Sequence, residues 1–154
     1  MRPPSSRSTR WQVVALIACA VLMTACEITD PPAGSGRPGN AENRAEMTRV
    51  VEQARALPDV LDAKGGWVAN ITTYGQTGLA ATVPVGTPPA RADVLADELM
   101  ALMWRSRIDP VNDMGATVTV PGAVPGEPPL AVRFAQTSQE FGRLAEKLGP
   151  RPTR

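Results

Sequence analysis

Between residues 40 and 150 the prolines stand at positions 58, 84, 88, 89, 110, 121, 125, 128, 129 and 150. Proline has a fixed φ and no amide hydrogen, so neither a helix interior nor a central strand runs through it. The chain is thereby cut into proline-free windows at 40–57, 59–83, 90–109, 111–120 and 130–149, each long enough for one helix, one strand or a hairpin. At 154 residues this suits one domain. With 43% hydrophobic but 4% aromatic residues, its core has to be built mainly from Ala, Val, Leu and Met.

In the first window Met47, Val50, Val51, Ala54 and Leu57 recur at steps of three and four, with Glu46, Arg49, Glu52 and Arg55 on the other face. This predicts a helix capped by Asn40 that runs to about Ala56 and closes at Pro58. "VLDAKGGWVANITTY" reads as a strand bulged at Gly65-Gly66, and "GQTG" as the hairpin turn after it. In "GLAATVPVG", Leu79, Ala81, Val83 and Val85 alternate with smaller or polar residues, which predicts a strand with one buried face, ended or placed at an edge by Pro84.

Pro88 and Pro89 suit the first turn of a second helix through about Arg107, with Val94, Leu95, Leu99, Leu102 and Met103 turned inward. Arg105 and Arg107 then stand at its electronegative end. "GATVTVPG" and "PLAVRF" flank the turn-rich "GAVPGEPP" as a second hairpin, in which Leu130, Val132 and Phe134 share a face. Thr137 and Glu140 have capping-box spacing for a last helix lined by Phe141, Leu144, Ala145 and Leu148 and ended by Gly149 and Pro150.

The predicted class is α+β, a two-layer sandwich in the order α-β-β-α-β-β-α with helices packed on a four-stranded, mainly antiparallel sheet. That succession resembles a permuted ferredoxin-like sandwich. Residues 41–121 also resemble a BON domain, a small bacterial envelope module associated with phospholipid binding. The likeness lies in the helix ending "ALPDV", the strand ending "VPVG", the Ala-rich second helix and "MGATVTV". The BON glycine-flanked strand pair is matched only in part, at Gly78 and Gly86, and a fourth strand and third helix are added.

Ahead of this domain, Arg2, Arg7 and Arg10 precede "WQVVALIACAVLMTA", fifteen residues from Trp11 to Ala25 without a charge. This is signal-peptide anatomy, short for a permanent span, with an uncleaved anchor as the alternative. Met23-Thr24-Ala25-Cys26 resembles the lipobox of bacterial lipoproteins. The resemblance implies diacylglycerol on the Cys26 thiol, cleavage between Ala25 and Cys26, and further acylation of the new amino terminus by a chain such as palmitate. Leu16-Ile17-Ala18-Cys19 fits the same pattern, but leaves an apolar run of only eight residues, Trp11 to Ala18, before the cut and the stretch Ala20 to Ala25 after it. Cys26 is the preferred site.

Residues 1–25 are thus read as signal peptide, 26–40 as a flexible Gly/Pro/Ser-rich tether, 41–149 as the domain and 150–154 as a tail. Removal of residues 1–25 leaves 13 basic and 15 acidic residues. A surface of that net charge gives no electrostatic reason to bind nucleic acid.

The chain holds no histidine, so Ser-His-Asp and Cys-His catalysis are excluded. With Cys26 acylated, thiol-based zinc and redox sites go too, and neither a metal site nor a cofactor is expected. Asp93 and Asp97 share a helix face, Asp97 adjoins Glu98, and Asp109 and Asp113 bracket the turn "DPVND". Solvated surface and turn chemistry account for these carboxylates in preference to a catalytic dyad or a cation site. "NIT" at Asn70 matches a glycosylation sequon but reads as sheet sequence. Trp67, Tyr74 and Trp104 either pack in the core or line a groove for a lipid, glycan or peptide.

The expectation is an extracytoplasmic lipoprotein of the cell membrane with a non-catalytic binding or scaffolding domain, not an enzyme. Its partners are the membrane, through the lipid, and an envelope protein, lipid or glycan. The alternative is a small carboxylate-dependent hydrolase or transferase.

Overall fold

The computed structural model describes residues 40–69, 75–109, 111–123 and 127–152. Cys19, Ala25, Cys26, the tether to residue 39, and Asn70 to Tyr74 lie outside the described residues. Seven elements follow in the order α1 (Asn40–Arg55), β1 (Asp62–Val68), β2 (Gln76–Thr82), α2 (Pro89–Trp104), β3 (Asp113–Thr119), β4 (Ala131–Ala135) and α3 (Ser138–Leu148). The α-β-β-α-β-β-α order is the one expected.

The strands lie side by side in chain order, β1-β2-β3-β4. β1/β2 and β3/β4 pair antiparallel, while β2/β3 are parallel. A parallel neighbour needs a crossover, and α2 supplies it. α1 covers β1 and β2, α2 covers β3 and β4, and α3 packs against α2.

The alternation of each strand decides which residues meet these helices. Ala63, Leu79, Ala81, Met114, Ala116, Val118, Ala131 and Ala135 are buried on the inner face. From above they meet Met47, Val50 and Ala54 of α1 and Ala92, Leu95, Ala96, Leu99, Met100 and Met103 of α2. Each fully buried Leu or Val contributes about 1.5–3 kcal/mol, and the many alanines let the helices ride close to the sheet. Closest is α1 over Gly65, where a Cβ would lie 2.9 Å from both Met47 Sδ and Val51 Cγ2.

Several expectations are corrected. β1 carries no bulge, since Gly65 pairs with Leu79 and Gly66 with Gly78 in unbroken register. "GQTG" is not the turn, because Gln76, Thr77 and Gly78 pair on both sides within β2, and Gly75 takes the positive φ of 101°. Val85 is 78% exposed, as the strand ends before Pro84. Val94 is 51% exposed, because the inward stripe of α2 runs through Ala92, Leu95, Ala96, Leu99 and Met103 and leaves it on the flank. Val132 and Phe134 do share a face, the outer one, whereas Leu130 precedes β4 and packs against the core.

Polar staples fix the helices. Asn43 Nδ2 donates to the Asp109 carbonyl at 2.8 Å and Asn43 Oδ1 accepts from the Asp109 amide at 3.2 Å, tying the first turn of α1 to the loop after α2. Arg91 reaches from α2 to Asp59, to Glu98 and to the Pro58 carbonyl, holding the turn in which Asp59 has φ 69°. The capping box is formed: Glu140 N donates to Thr137 Oγ1 and Thr137 N donates to Glu140 Oε2.

Candidate functional site

Among the described residues, helices cover only one side of the sheet, and the other side presents Lys64, Gly66, Gln76, Gly78 and Phe134 to solvent. Register lines these up in rows. Gly66 stands beside Gly78, Gly78 beside Gly115, and Gly115 beside Phe134. A floor of three glycines thus crosses the sheet and ends at a phenylalanine that is 60% exposed. The Phe134 ring leans over this floor, with Cε1 3.1 Å from where a Gly115 Cβ would stand.

In the next row Val68 pairs with Gln76 and Gln76 with Asp113. The Asp113 carboxylate accepts from Gln76 Nε2 and Gln136 Nε2, both at 3.2 Å. On the other side of the glycines lie Lys64, Ala80, Thr117 and Val132. The surface is open, low in charge and mixed in polarity, with amides and a carboxylate beside an aromatic ring, which suits binding by contact.

A second feature lies at the sheet edge. Between α1 and β1 runs a shallow groove of about 290 Å³, floored by Met47, Val51, Ala63 and Gly65 and flanked by Arg55 and Lys64. Arg55 Nε also donates to Asp62 at 3.1 Å.

The three aromatic residues proposed from sequence fare differently. Trp104 is buried; its Nε1 donates to the Gly149 carbonyl at 2.9 Å, and its ring centroid lies 6.1 Å from that of Phe141. Trp104 therefore pins α3 and the carboxy-terminal tail to α2, and core packing is its role. Trp67 is half-buried on the inner side of β1 opposite Thr77. Tyr74 lies outside the described residues.

The carboxylate pairs are built into ion pairs. Arg133, on the inner face of β4, donates to Asp97 and to Asp93, each at 2.8 Å, and Lys147 donates to Asp97 at 3.0 Å. Partial burial raises the Asp97 pKa, but Lys147 and Arg133 outweigh it and leave the group below its ordinary value. Glu98 and Asp59 share Arg91. Glu46 is lowered to about 2, chiefly by the hydrogen bond from Arg49, with partial burial opposing and the Arg107 amide, 2.8 Å away, assisting. Burial lowers the Arg151 pKa, and its guanidinium donates to the Ile108 carbonyl.

Among the described residues no group of three or more Asp, Glu, Cys or His stands where it would hold a metal ion. Among the same residues no helix is long and apolar enough to cross a membrane. No protein family, no characterised protein and no solved structure matches the chain.

Sequence reasoning misses the glycine row, because it places Gly78 in the turn "GQTG" and Gly115 at the start of a strand. The signal was parity: with Gly78 inside a strand, Gly66, Gly78 and Gly115 all take outward positions. It also missed the inward Arg133, for which an arginine flanked by Val132 and Phe134 gave no cue.

Proposed function

We propose that this chain is an extracytoplasmic bacterial lipoprotein, held on the cell membrane by lipid on Cys26, whose α+β domain works by binding rather than by catalysis. Met23-Thr24-Ala25-Cys26, closing an uncharged run behind Arg2, Arg7 and Arg10, carries this reading. Small residues before the cysteine leave room for a peptidase, and the Gly/Pro-rich stretch after it suits a spacer between bilayer and domain.

Binding is favoured over turnover by the use to which the polar side chains are put. Asp93, Asp97, Asp59 and Glu98 neutralise arginines that staple helices to the sheet and turns. The open sheet face, with Phe134, Gln76, Asp113 and Gln136 around its glycine floor, is the contact surface for an envelope protein, lipid or glycan. The test is fractionation of cells expressing the full chain, Cys26→Ser and Cys19→Ser. The wild type and Cys19→Ser partition with the membrane as a shortened, acylated chain, whereas Cys26→Ser accumulates unprocessed and without lipid. An acylated, processed Cys26→Ser protein would refute the assignment.

A further inference from the structure

Two exposed large apolar residues lie on the open sheet face, Phe134 at 60% and Val68 at 54% exposure. They stand on the two edge strands, β4 and β1, three strand spacings or about 14 Å apart, so neither covers the other within one copy. Between them runs the glycine floor of Gly66, Gly78 and Gly115, over which the Phe134 ring leans. Projection and hollow thus occur on one patch, which a contact between identical surfaces requires.

We propose that two copies of this chain pack sheet face to sheet face about a two-fold axis along the strands, between β2 and β3, each laying Phe134 on the other's glycine floor beside Val68. The inference rests on reading this face as the contact surface, and names what covers it. With that axis β1 lies over the second copy's β4 and β2 over its β3, at the angle of about 30° at which sheets align. Phe134 meets the second copy's Gly66 and Val68, and Gly115 meets its Gly78. No like charges are opposed: the aliphatic stem of Lys64 covers Val132, and Asp113 meets the Gln76 amide.

The point where the chain enters the domain selects this axis. α1 runs antiparallel to β1, with Asn43 tied to Asp109, Met47 and Val51 over Gly65, and Arg55 on Asp62. Asn40 therefore lies at the end of the sheet marked by Val68, Gln76 and Asp113. An axis along the strands keeps that end on the same side in both copies, so both tethers join the dimer from one side, as two lipid anchors in one membrane require. An axis across the strands would put these ends opposite one another, stack Phe134 on Phe134 and leave glycine facing glycine. Four strands of up to seven residues give each copy a face of roughly 19 by 23 Å. Two such faces bury on the order of 900 Å², the size of a weak association, so the free domain dissociates in the micromolar range.

The test is sedimentation equilibrium on residues 27–154, which contain all seven elements and no cysteine. Lipid plays no part in it, so its outcome is separate from that of the Cys26 fractionation. The expected result is a monomer–dimer equilibrium that Phe134→Ala and Gly66→Glu each weaken at least about tenfold. A Gly66 Cβ meets nothing within 4 Å, so the second variant keeps its fold, and thermal melts check both. Val85→Ala, at an exposed residue outside the strands, leaves the equilibrium unchanged. A short bismaleimide links the double variant Lys64→Cys, Val132→Cys into covalent dimers and Lys64→Cys alone far less. Packed sheets lie about 10 Å apart, whereas the two copies of residue 64 stand on opposite edges of the dimer. A chain that stays monomeric to about 1 mM, a dimer that Phe134→Ala or Gly66→Glu leaves intact, or equal cross-linking of the double and single cysteine variants overturns the proposal.

Discussion

Gly65 of β1 lies so close beneath Met47 of α1 that a methyl group on its Cα would approach the thioether sulfur to 2.9 Å. Val51 and Leu79 close the same space, at 2.9 and 3.0 Å. A side chain here cannot be absorbed by one flexible neighbour, so Gly65→Ala lifts α1 from the sheet at a cost of about 1–3 kcal/mol. Gly66→Ala, whose Cβ meets open space, leaves stability within about 0.5 kcal/mol of wild type. Urea denaturation of the two variants side by side checks both values.

Glu46 gives the clearest pH dependence. Its folded-state pKa is about 2 against an ordinary 4.5, so its contribution is complete above the unfolded-state pKa and disappears as pH falls through the folded one. Glu46→Gln is therefore expected to destabilise at pH 7 by about 1–2 kcal/mol, a reduced figure because Arg49 is half exposed to screening solvent. Near pH 2 wild type and variant should converge. Denaturation midpoints measured from pH 7 down to pH 2 test the trend.

Trp104→Phe keeps an aromatic ring against Phe141 but removes the donor to the Gly149 carbonyl. The loss is worth about 0.5–1.5 kcal/mol, and it falls on one place, the junction of α3 with the tail. Hydrogen exchange should quicken over residues 141–151 and stay unchanged in β1 and β2. Uniform acceleration across the domain would instead place Trp104 in the general core alone.

Thr137→Ala removes the hydroxyl that receives the Glu140 amide, and with it half of the reciprocal cap. The expected cost is about 1 kcal/mol. Thr137→Ser, which keeps the acceptor, should restore most of it, and circular dichroism melts of the three proteins distinguish them.

How much of this was legible in advance depended on the kind of signal. Helix faces with one strong stripe, such as Met47, Val50 and Ala54, follow from period alone, and the Thr137–Glu140 box follows from spacing. Element order was readable because prolines bound each window. Register was not: whether Gly66, Gly78 and Gly115 align depends on how three strands slide past one another, which no local pattern encodes. Arg133 shows the same limit, because an arginine can face inward only when carboxylates on another element, here Asp93 and Asp97 of α2, stand ready for it. For Trp104, sequence leaves core packing and a groove-lining role both open, whereas the partner that decides for the core, the Gly149 carbonyl, lies 45 residues away in sequence.

Lipidation at Cys26 is tested most directly by the mass of the protein extracted from its own membrane. The amino-terminal peptide is expected to begin at residue 26 and to carry a diacylglyceryl-cysteine. An unmodified chain that still contains Trp11 to Ala25 would contradict the lipoprotein reading and leave the domain without its proposed anchor.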